Sequence, residues 1–351
     1  MRIVITLLAA FAASAAAMHF LIPVLRALKA GQSIREIGPN WHKEKEGTPT
    51  MGGLGFIAAA VLVVFIAGFP AMLEGKLEHL FVLGFALVYG AIGFVDDFFK
   101  VKFKRNLGLT ALQKLALQLA AGGCYLALLR WNGNLTGDVY IPFWNVTFSV
   151  NWIVYLAFAM FVIVGCVNAV NLTDGVDGLA SGVTIPVMVF FTVSAMGRQD
   201  GLALVPAAMI GALLGFLCYN FHPARVFMGD TGSNFLGFIL SAISIYGLFK
   251  TYAFISFAVP FLVLGLPIFD ICFAVIRRVA KGQSPMHADR GHFHHRLIDM
   301  GFSQKQAVAI SYLLTAILGL AAVTLTGRRF VQVLIIAGAL AVVIAIGTSP
   351  N

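Results

Sequence analysis

Long apolar runs dominate this sequence, and they limit what the chain can fold into. Each run has about 20 residues, the length that an α-helix needs to cross the ~30 Å hydrocarbon core of a bilayer. Hydrophobic residues make up 60% of the 351 residues and charged residues 11%, whereas about 25% of a soluble domain is charged. Because a helix pairs its own backbone groups in lipid, the sequence predicts an all-α polytopic integral membrane protein, with residues 1–351 as a single domain.

The apolar runs predict ten or eleven transmembrane helices. They cover residues 3–28, 52–70, 80–98, 112–130, 151–170, 180–196, 202–220, 234–249, 253–277, 306–325 and 329–347. Residues 326–328 separate the last two runs, which form either a hairpin or one span followed by a tail.

The distribution of basic residues predicts the orientation. The net charge of +9 would suit a nucleic-acid-binding protein, but most of it lies in the connections on one side. Of the 24 lysines and arginines, the opposite side carries Arg2, Lys76, Arg130, Arg198, Lys250, Arg328 and Arg329. The side rich in Lys and Arg is expected to be cytoplasmic, and no nucleic-acid partner is expected.

Most polar motifs fall on this predicted cytoplasmic side. Asp96 and Asp97 end the third apolar run in the sequence GFVDDFFK. Two carboxylates at a membrane surface are costly without a cation. They predict either a pair that divides metal binding and proton removal, or a solvated helix end with Lys100 as its partner.

A second motif, NAVNLTDGVDG, follows the fifth run and sets Asn171, Asp174 and Asp177 three residues apart. In a helix they would share a face; if Gly175 and Gly178 end the helix, they line a turn. Either geometry brings polar groups together. A calcium loop of the EF-hand type is disfavoured because the terminal Glu is missing.

A third motif, NFHPARVFMGDTGS, joins the seventh and eighth runs. Ser233 is expected to cap the next helix, whose N-terminus attracts phosphate. Asp230 would repel that phosphate unless it holds Mg²⁺, which bridges carboxylate and diphosphate oxygens. The alternative interpretation is an ordinary capped turn.

The late sequence HADRGHFHHR has the composition of a zinc site, but it lacks cysteine and is rich in arginine. Phosphate recognition or a solvated basic loop suits it better. Asp270 lies inside an apolar run. An intramembrane carboxylate either satisfies backbone donors that are freed where Pro267 breaks the helix, or marks a functional site as in ion-coupled transporters. Such transporters form the alternative from another functional class.

The sequence GTPTMGG at residues 47–53, preceded by QSIREIGP, resembles the phospho-N-acetylmuramoyl-pentapeptide transferase family. The motifs at Asp96-Asp97, at residues 168–178 and at residues 220–233 also match this family, in the same order and over nearly the whole chain. The resemblance implies Mg²⁺-dependent transfer of phospho-MurNAc-pentapeptide from UDP-MurNAc-pentapeptide to undecaprenyl phosphate, giving lipid I and UMP in peptidoglycan synthesis. It also implies a multi-pass protein of the bacterial inner membrane, in contact with membrane lipid, whose active site faces the cytoplasm. The oligomeric state, including a homodimer, stays open.

The resemblance implies roles for individual residues. Asp96 is expected to activate the lipid phosphate with Asp97 as its catalytic partner, and Asp230 is expected to bind the metal. Phe227 suits stacking on uracil. The expected substrate contacts are Lys45, Thr50, Lys100, Lys114, Asn171, Asp174, Asp177, Asn220, Phe227, His292, His294 and His295.

One departure concerns the sugar. The family usually carries three consecutive histidines in the late loop, whereas this chain has a phenylalanine between His292 and His294. That version is more similar to the sister enzymes that use UDP-GlcNAc. A UDP-GlcNAc:undecaprenyl-phosphate GlcNAc-1-phosphate transferase is therefore the alternative within the superfamily.

Overall fold

The computed structural model describes residues 1–28, 47–103, 108–133, 135, 137–141, 146–196, 201–247, 297–298 and 300–324. Nine helices and two strands lie within these ranges. The helices are α1 (Arg2–Ala27), α2 (Gly53–Leu73), α3 (Glu78–Phe103), α4 (Ala111–Trp131), α5 (Trp152–Thr173), α6 (Leu179–Ala195), α7 (Leu204–Asn220), α8 (Gly229–Gly247) and α9 (Gln304–Thr324). The strands are β1 (Asp138–Ile141) and β2 (Val146–Ser149).

The outer faces of the helices are suited to lipid. Five of the described helices, α1 to α5, are long and apolar enough to cross a membrane, and α6 and α7 are shorter apolar helices. On α2, one exposed stripe is entirely apolar and consists of Leu62, Phe65, Ile66 and Phe69. Such a stripe is unfavourable in water and favourable in hydrocarbon. The chain is a polytopic membrane protein, as predicted, and the predicted spans 253–277 and 329–347 lie outside the described residues.

A short hairpin connects α4 to α5, and the apolar runs did not predict it. β1 and β2 are antiparallel, with Asp138 opposite Ser149 and Ile141 opposite Val146. Four-residue strands give a much weaker sequence pattern than a run of 20 apolar residues. Within the described ranges, this hairpin is the exception to an otherwise helical structure.

Helix α8 lies at the centre of the bundle and packs against α2, α3 and α5. Residues 231–245 of α8 are all buried. On α3, Gly93 lies against the first turn of α8, where any side chain would overlap with the carbonyl oxygen of Asp230. The glycine therefore lets the backbones of α3 and α8 meet at the point where the acidic residues lie.

The remaining helices extend the bundle to one side. Helix α7 packs between α1 and α6, and α9 packs against α6. The Tyr312 hydroxyl on α9 donates a hydrogen bond to the carbonyl oxygen of Gly178 at 2.6 Å. This bond ties α9 to the turn that leads into α6.

Candidate active site

The C-terminal ends of α3 and α5 and the N-terminal ends of α4 and α8 meet on the predicted cytoplasmic side. Local sequence determines where α4 and α8 begin. Helix α4 starts at a capping box in which Thr110 Oγ1 accepts from Gln113 N at 3.2 Å and Gln113 Oε1 accepts from Thr110 N at 3.0 Å. This start puts Lys114 in the first turn of α4. Gly229 begins α8 with a φ of 72°, a backbone conformation that glycine adopts without strain, and so puts Asp230 in the first turn of α8.

Three carboxylates form an acidic cluster at this meeting point, consisting of Asp96 and Asp97 from α3 and Asp230 from α8. One carboxylate oxygen of each residue lies within 4.8 Å of the others. Asp96 is 3% exposed and Asp97 is 2% exposed. Because carboxylates at this distance repel each other strongly where water is excluded, the cluster requires positive charge or hydrogen-bond donors nearby.

Two lysines supply that positive charge. Lys100 Nζ lies 2.5 Å from Asp96 Oδ2 and 2.9 Å from Asp230 Oδ2. Lys114 Nζ lies 2.7 Å from the same oxygen of Asp230. The structure therefore brings both predicted lysines onto one carboxylate, from two different helices.

Asp97 has a different environment from Asp96, because it caps α8. Its Oδ1 accepts from the backbone N–H of Asp230 at 3.1 Å. Its Oδ2 accepts from Thr231 N at 2.9 Å and from Thr231 Oγ1 at 2.8 Å. A carboxylate suits a helix N-terminus, where backbone donors and the helix dipole favour negative charge. Both oxygens of Asp97 thus hold the turn that carries Asp230.

The expectation that Ser233 caps this helix is wrong. Helix α8 begins at Gly229, four residues before Ser233, so the cap comes from Asp97 on α3. Ser233 Oγ instead accepts a hydrogen bond from Asn171 Nδ2 at 2.8 Å, and the same nitrogen donates to Asp230 Oδ1 at 2.7 Å. Asn171 on α5 therefore belongs to the surroundings of the acidic cluster.

The acidic cluster fits a divalent cation. Carboxylate oxygens from two helices converge there, and hard cations such as Mg²⁺ prefer oxygen ligands. Asp230 precedes the stretch 234–249 that is predicted to cross the membrane. Burial would raise the pKa of its carboxyl, but its hydrogen bonds and the two ammonium groups hold that pKa well below the usual range. The direction of this shift favours the ionised form of Asp230, which is the form that binds a metal.

Thr50 also lies at the acidic cluster. Phe227 N donates to Pro49 O at 2.8 Å, and Gly52 N donates to Phe227 O at 2.8 Å, so the segment before α2 pairs with the segment before α8. A Cβ atom at Gly229 would lie 2.8 Å from Thr50 Oγ1. Phe227 itself is 8% exposed, and its stacking on uracil stays a prediction.

A second polar group, here called the loop group, consists of Asp177, Asn220 and His222. Asp177 is 3% exposed, and its Oδ2 lies 2.9 Å from His222 Nδ1 and accepts from Ala224 N at 3.2 Å. His222 is not among the residues that the sequence motifs predicted for the site. The available signal was its position two residues after Asn220 in a motif that is rich in functional residue types.

Asn220 contributes to the loop group through the backbone. Its Oδ1 accepts from Gly178 N at 3.2 Å, and its Nδ2 donates to Val226 O at 2.9 Å. Asp174 and Asp177 lie in the turn after α5, as one of the two predicted alternatives has it, whereas Asn171 lies within α5 and contacts the acidic cluster instead. The loop group therefore joins the turn after α5 to the loop after α7, and its substrate contacts stay predictions.

Some predicted residues cannot be related to either group. Lys45, His292, His294 and His295 lie outside the described residues, as does Asp270. Their expected roles stay predictions.

Comparison with known proteins supports the resemblance found in the sequence. The family model described as Glycosyl transferase family 4 matches residues 79–248, a range that includes Asp96, Asp97 and Asp230.

Several curated relatives match over a longer part of the chain. Each of the three cited here is named phospho-N-acetylmuramoyl-pentapeptide-transferase. The protein of Clostridioides difficile is 40% identical over 309 residues, which are 85% of this chain and 89% of the relative. That of Bacillus subtilis is 38% identical over 322 residues, 91% of this chain and 97% of the relative. That of a Thermoanaerobacter species is 47% identical over 239 residues, 67% of this chain and 72% of the relative.

The predicted family is thus confirmed by relatives that align over most of their length. The order of the motifs along this chain and the meeting of their acidic residues in one cluster are consistent with those matches. This chain belongs to the phospho-N-acetylmuramoyl-pentapeptide transferase family.

Proposed function

We propose that this chain transfers phospho-MurNAc-pentapeptide from UDP-MurNAc-pentapeptide to undecaprenyl phosphate, releasing UMP and forming lipid I for peptidoglycan synthesis. The acidic cluster is the observation that carries this proposal. Three carboxylates and two lysines meet there at the ends of membrane helices. Transfer of a phosphoryl group between a nucleotide diphosphate and a lipid phosphate requires positioning and charge neutralisation above all.

Asp230 would hold Mg²⁺, which would supply positive charge to the donor diphosphate when it is bound. Lys100 and Lys114 already lie on Asp230, and we propose that they bind phosphate oxygens of the donor. Both lysines carry mobile ammonium groups, so they can turn from a carboxylate to a phosphate without movement of the helices.

Asp96 would orient the lipid phosphate or take its residual proton. An oxygen of the lipid phosphate then attacks the sugar-linked phosphorus of the donor. The bond from that phosphorus to the bridging oxygen breaks, and UMP leaves with the electron pair. A phosphate is already a competent nucleophile at neutral pH, so this route needs no covalent enzyme intermediate.

Asp97 would act without touching the substrate. Both of its oxygens bind the first turn of α8, so it would position Asp230 rather than share proton transfer with Asp96. This role refines the expectation that Asp97 is a direct catalytic partner.

We further propose that the chain forms a single domain of ten or eleven transmembrane helices in the bacterial inner membrane, with the acidic cluster facing the cytoplasm. The excess of lysine and arginine on that side supports this orientation. A homodimer is compatible with the proposal but is not required by it.

The proposal is tested by UMP release from the purified full chain in detergent with Mg²⁺ and undecaprenyl phosphate. UDP-MurNAc-pentapeptide and UDP-GlcNAc are compared under identical conditions, because the His292-Phe-His-His sequence favours testing the second donor. Turnover of the pentapeptide donor is expected, with loss of turnover in Asp230→Asn. Turnover of UDP-GlcNAc alone would move the chain to the sister activity, and turnover of neither donor would favour an ion-coupled transporter.

A further inference from the structure

A layer of amide side chains lies one helical turn deeper in the bundle than the acidic cluster. We call it the amide layer, and it consists of Gln118 on α4, Asn168 on α5 and Asn234 on α8. Each lies about one turn from a residue at the acidic cluster, namely Lys114, Asn171 and Asp230, respectively. Gln118 and Asn234 are both 0% exposed.

The hydrogen bonds of this layer are incomplete among the described residues. Asn168 Nδ2 donates to Gln118 Oε1 at 2.9 Å and to Val164 O at 2.8 Å. Gln118 Nε2 and both amide atoms of Asn234 are buried, and no hydrogen-bond partner lies near them in the described part of the chain. A buried amide without a partner is strongly disfavoured, and native structures satisfy nearly all such groups with protein or ordered water.

Contacts on either side of the amide layer indicate that Gln118 and Asn234 lie on the sides of α4 and α8 that are turned toward each other. Lys114 on α4 contacts Asp230 on α8 at 2.7 Å. Further along the same two helices, the rings of Tyr125 and Phe238 lie 5.0 Å apart between centroids. The helices therefore run in the same direction, and Gln118 and Asn234 lie at the same depth between these two contacts, each four residues after the upper one.

An aromatic floor closes the layer on its inner side. The Tyr89 ring stacks on Phe238 at 4.5 Å between centroids, and its hydroxyl donates to the backbone carbonyl oxygen of Gln118 at 2.6 Å. The amide layer thus lies between aromatic rings on one side and the acidic cluster on the other.

We propose that the amide layer binds internal water, which bridges Gln118 on α4 to Asn234 on α8 directly beneath the acidic cluster. The two side chains offer an N–H donor on one helix and both a donor and an acceptor on the other, and buried water typically makes about three such bonds. A cation is disfavoured, because Gln118 Oε1 is already engaged by Asn168. The bridge would hold α4 against α8 and so keep Lys114 on Asp230. This inference does not depend on which donor the enzyme uses.

The direct test is a structure of the full wild-type chain in lipid nanodiscs, at a resolution where other buried waters are visible. The proposal expects water density within hydrogen-bond distance of both Gln118 and Asn234. A dry layer at that resolution would overturn it. This measurement needs no variant, so it holds even if a substitution prevents folding.

A double-mutant cycle gives the second test, read as the thermal unfolding midpoint in one detergent. Asn234→Leu and Gln118→Met are each expected to lower the midpoint by about 2–4 °C, and the double variant by clearly less than the sum, because either change breaks the same bridge. In the matched control cycle, Ser244→Ala takes the place of Asn234→Leu. Ser244 is another buried residue of α8, and its hydroxyl donates to Leu240 O within the same helix. The control cycle should be additive. Additivity in the first cycle, or a higher midpoint in Asn234→Leu, would overturn the proposal.

Discussion

The acidic cluster and the loop group both contain buried aspartates, yet the partners of their carboxylates differ. Asp230 in the acidic cluster meets two ammonium groups from two helices. Asp177 in the loop group meets an imidazole and a backbone N–H from one loop. Concentrated charge on rigid helix ends suits phosphoryl transfer, whereas hydrogen bonds between loops shape a surface that can recognise a ligand. We therefore expect aspartates to have different tasks in the two groups.

If this contrast is correct, Asp230→Asn should have the largest effect on turnover. The change removes the charge on which Lys100 and Lys114 converge, and we expect kcat for UMP release to fall by about 10³-fold. The thermal unfolding midpoint is measured on the same preparations, so that a loss of turnover is distinguished from a loss of the fold. A variant that retains most of its turnover would contradict the assignment of the acidic cluster.

Lys114→Met should give the next largest effect. It removes one of the two ammonium groups on Asp230, and a fall in kcat of about 10²-fold is expected. Lys76→Met is the matched control, since Lys76 pairs with the exposed Glu74 beyond the end of α2. Equal losses in the two variants would show a nonspecific effect of charge.

The pair Asp96→Asn and Asp97→Asn separates chemistry from positioning within the acidic cluster. Asp97→Asn should destabilise the fold by about 1 kcal/mol, because one of its two accepting oxygens becomes an NH₂ group that faces a backbone donor of α8, and should lower turnover through Asp230. Asp96 accepts one backbone N–H, from Leu109, which the remaining oxygen of Asn can still accept, so Asp96→Asn should lower turnover with a smaller loss of stability. Thermal unfolding and UMP release are measured on the same preparations, and identical stability of the two variants would refute the capping role.

His222→Phe should have the smallest effect and a different kinetic form. Loss of the partner of Asp177 is expected to raise KM for the donor about fivefold, on the order of one hydrogen bond, with kcat nearly unchanged. His222→Asn, which keeps a donor, should recover part of the affinity. A fall in kcat without a change in KM would place the loop group in the chemical step.

The sequence predicted the parts of this structure that depend on local pattern. Apolar runs located the described helices, and the polar motifs at their ends predicted that Asp96 and Asp230 lie on the same side. Contacts that depend on how the helices cross could not be predicted from local sequence pattern. Asp97 caps a helix that starts 132 residues later because α3 and α8 meet at Gly93.

The errors have the same physical cause. Ser233 has the residue type of a cap, but α8 begins one turn before it. The free backbone N–H groups of the first turn therefore donate to Asp97 and not to Ser233. The contact of His222 with Asp177 spans 45 residues and two loops. Hydrophobic periodicity within either segment does not predict such a contact.

The most direct test of the central claim is Mn²⁺ binding to the full chain, measured by electron paramagnetic resonance with the donor present. Mn²⁺ serves as a spectroscopic substitute for Mg²⁺, with the same preference for oxygen ligands. We predict that Asp230→Asn weakens Mn²⁺ binding at least tenfold, whereas Asp177→Asn leaves it within about twofold of the wild type. Unchanged binding in Asp230→Asn, or an equal loss in Asp177→Asn, would contradict the claim that the acidic cluster is the metal-dependent centre.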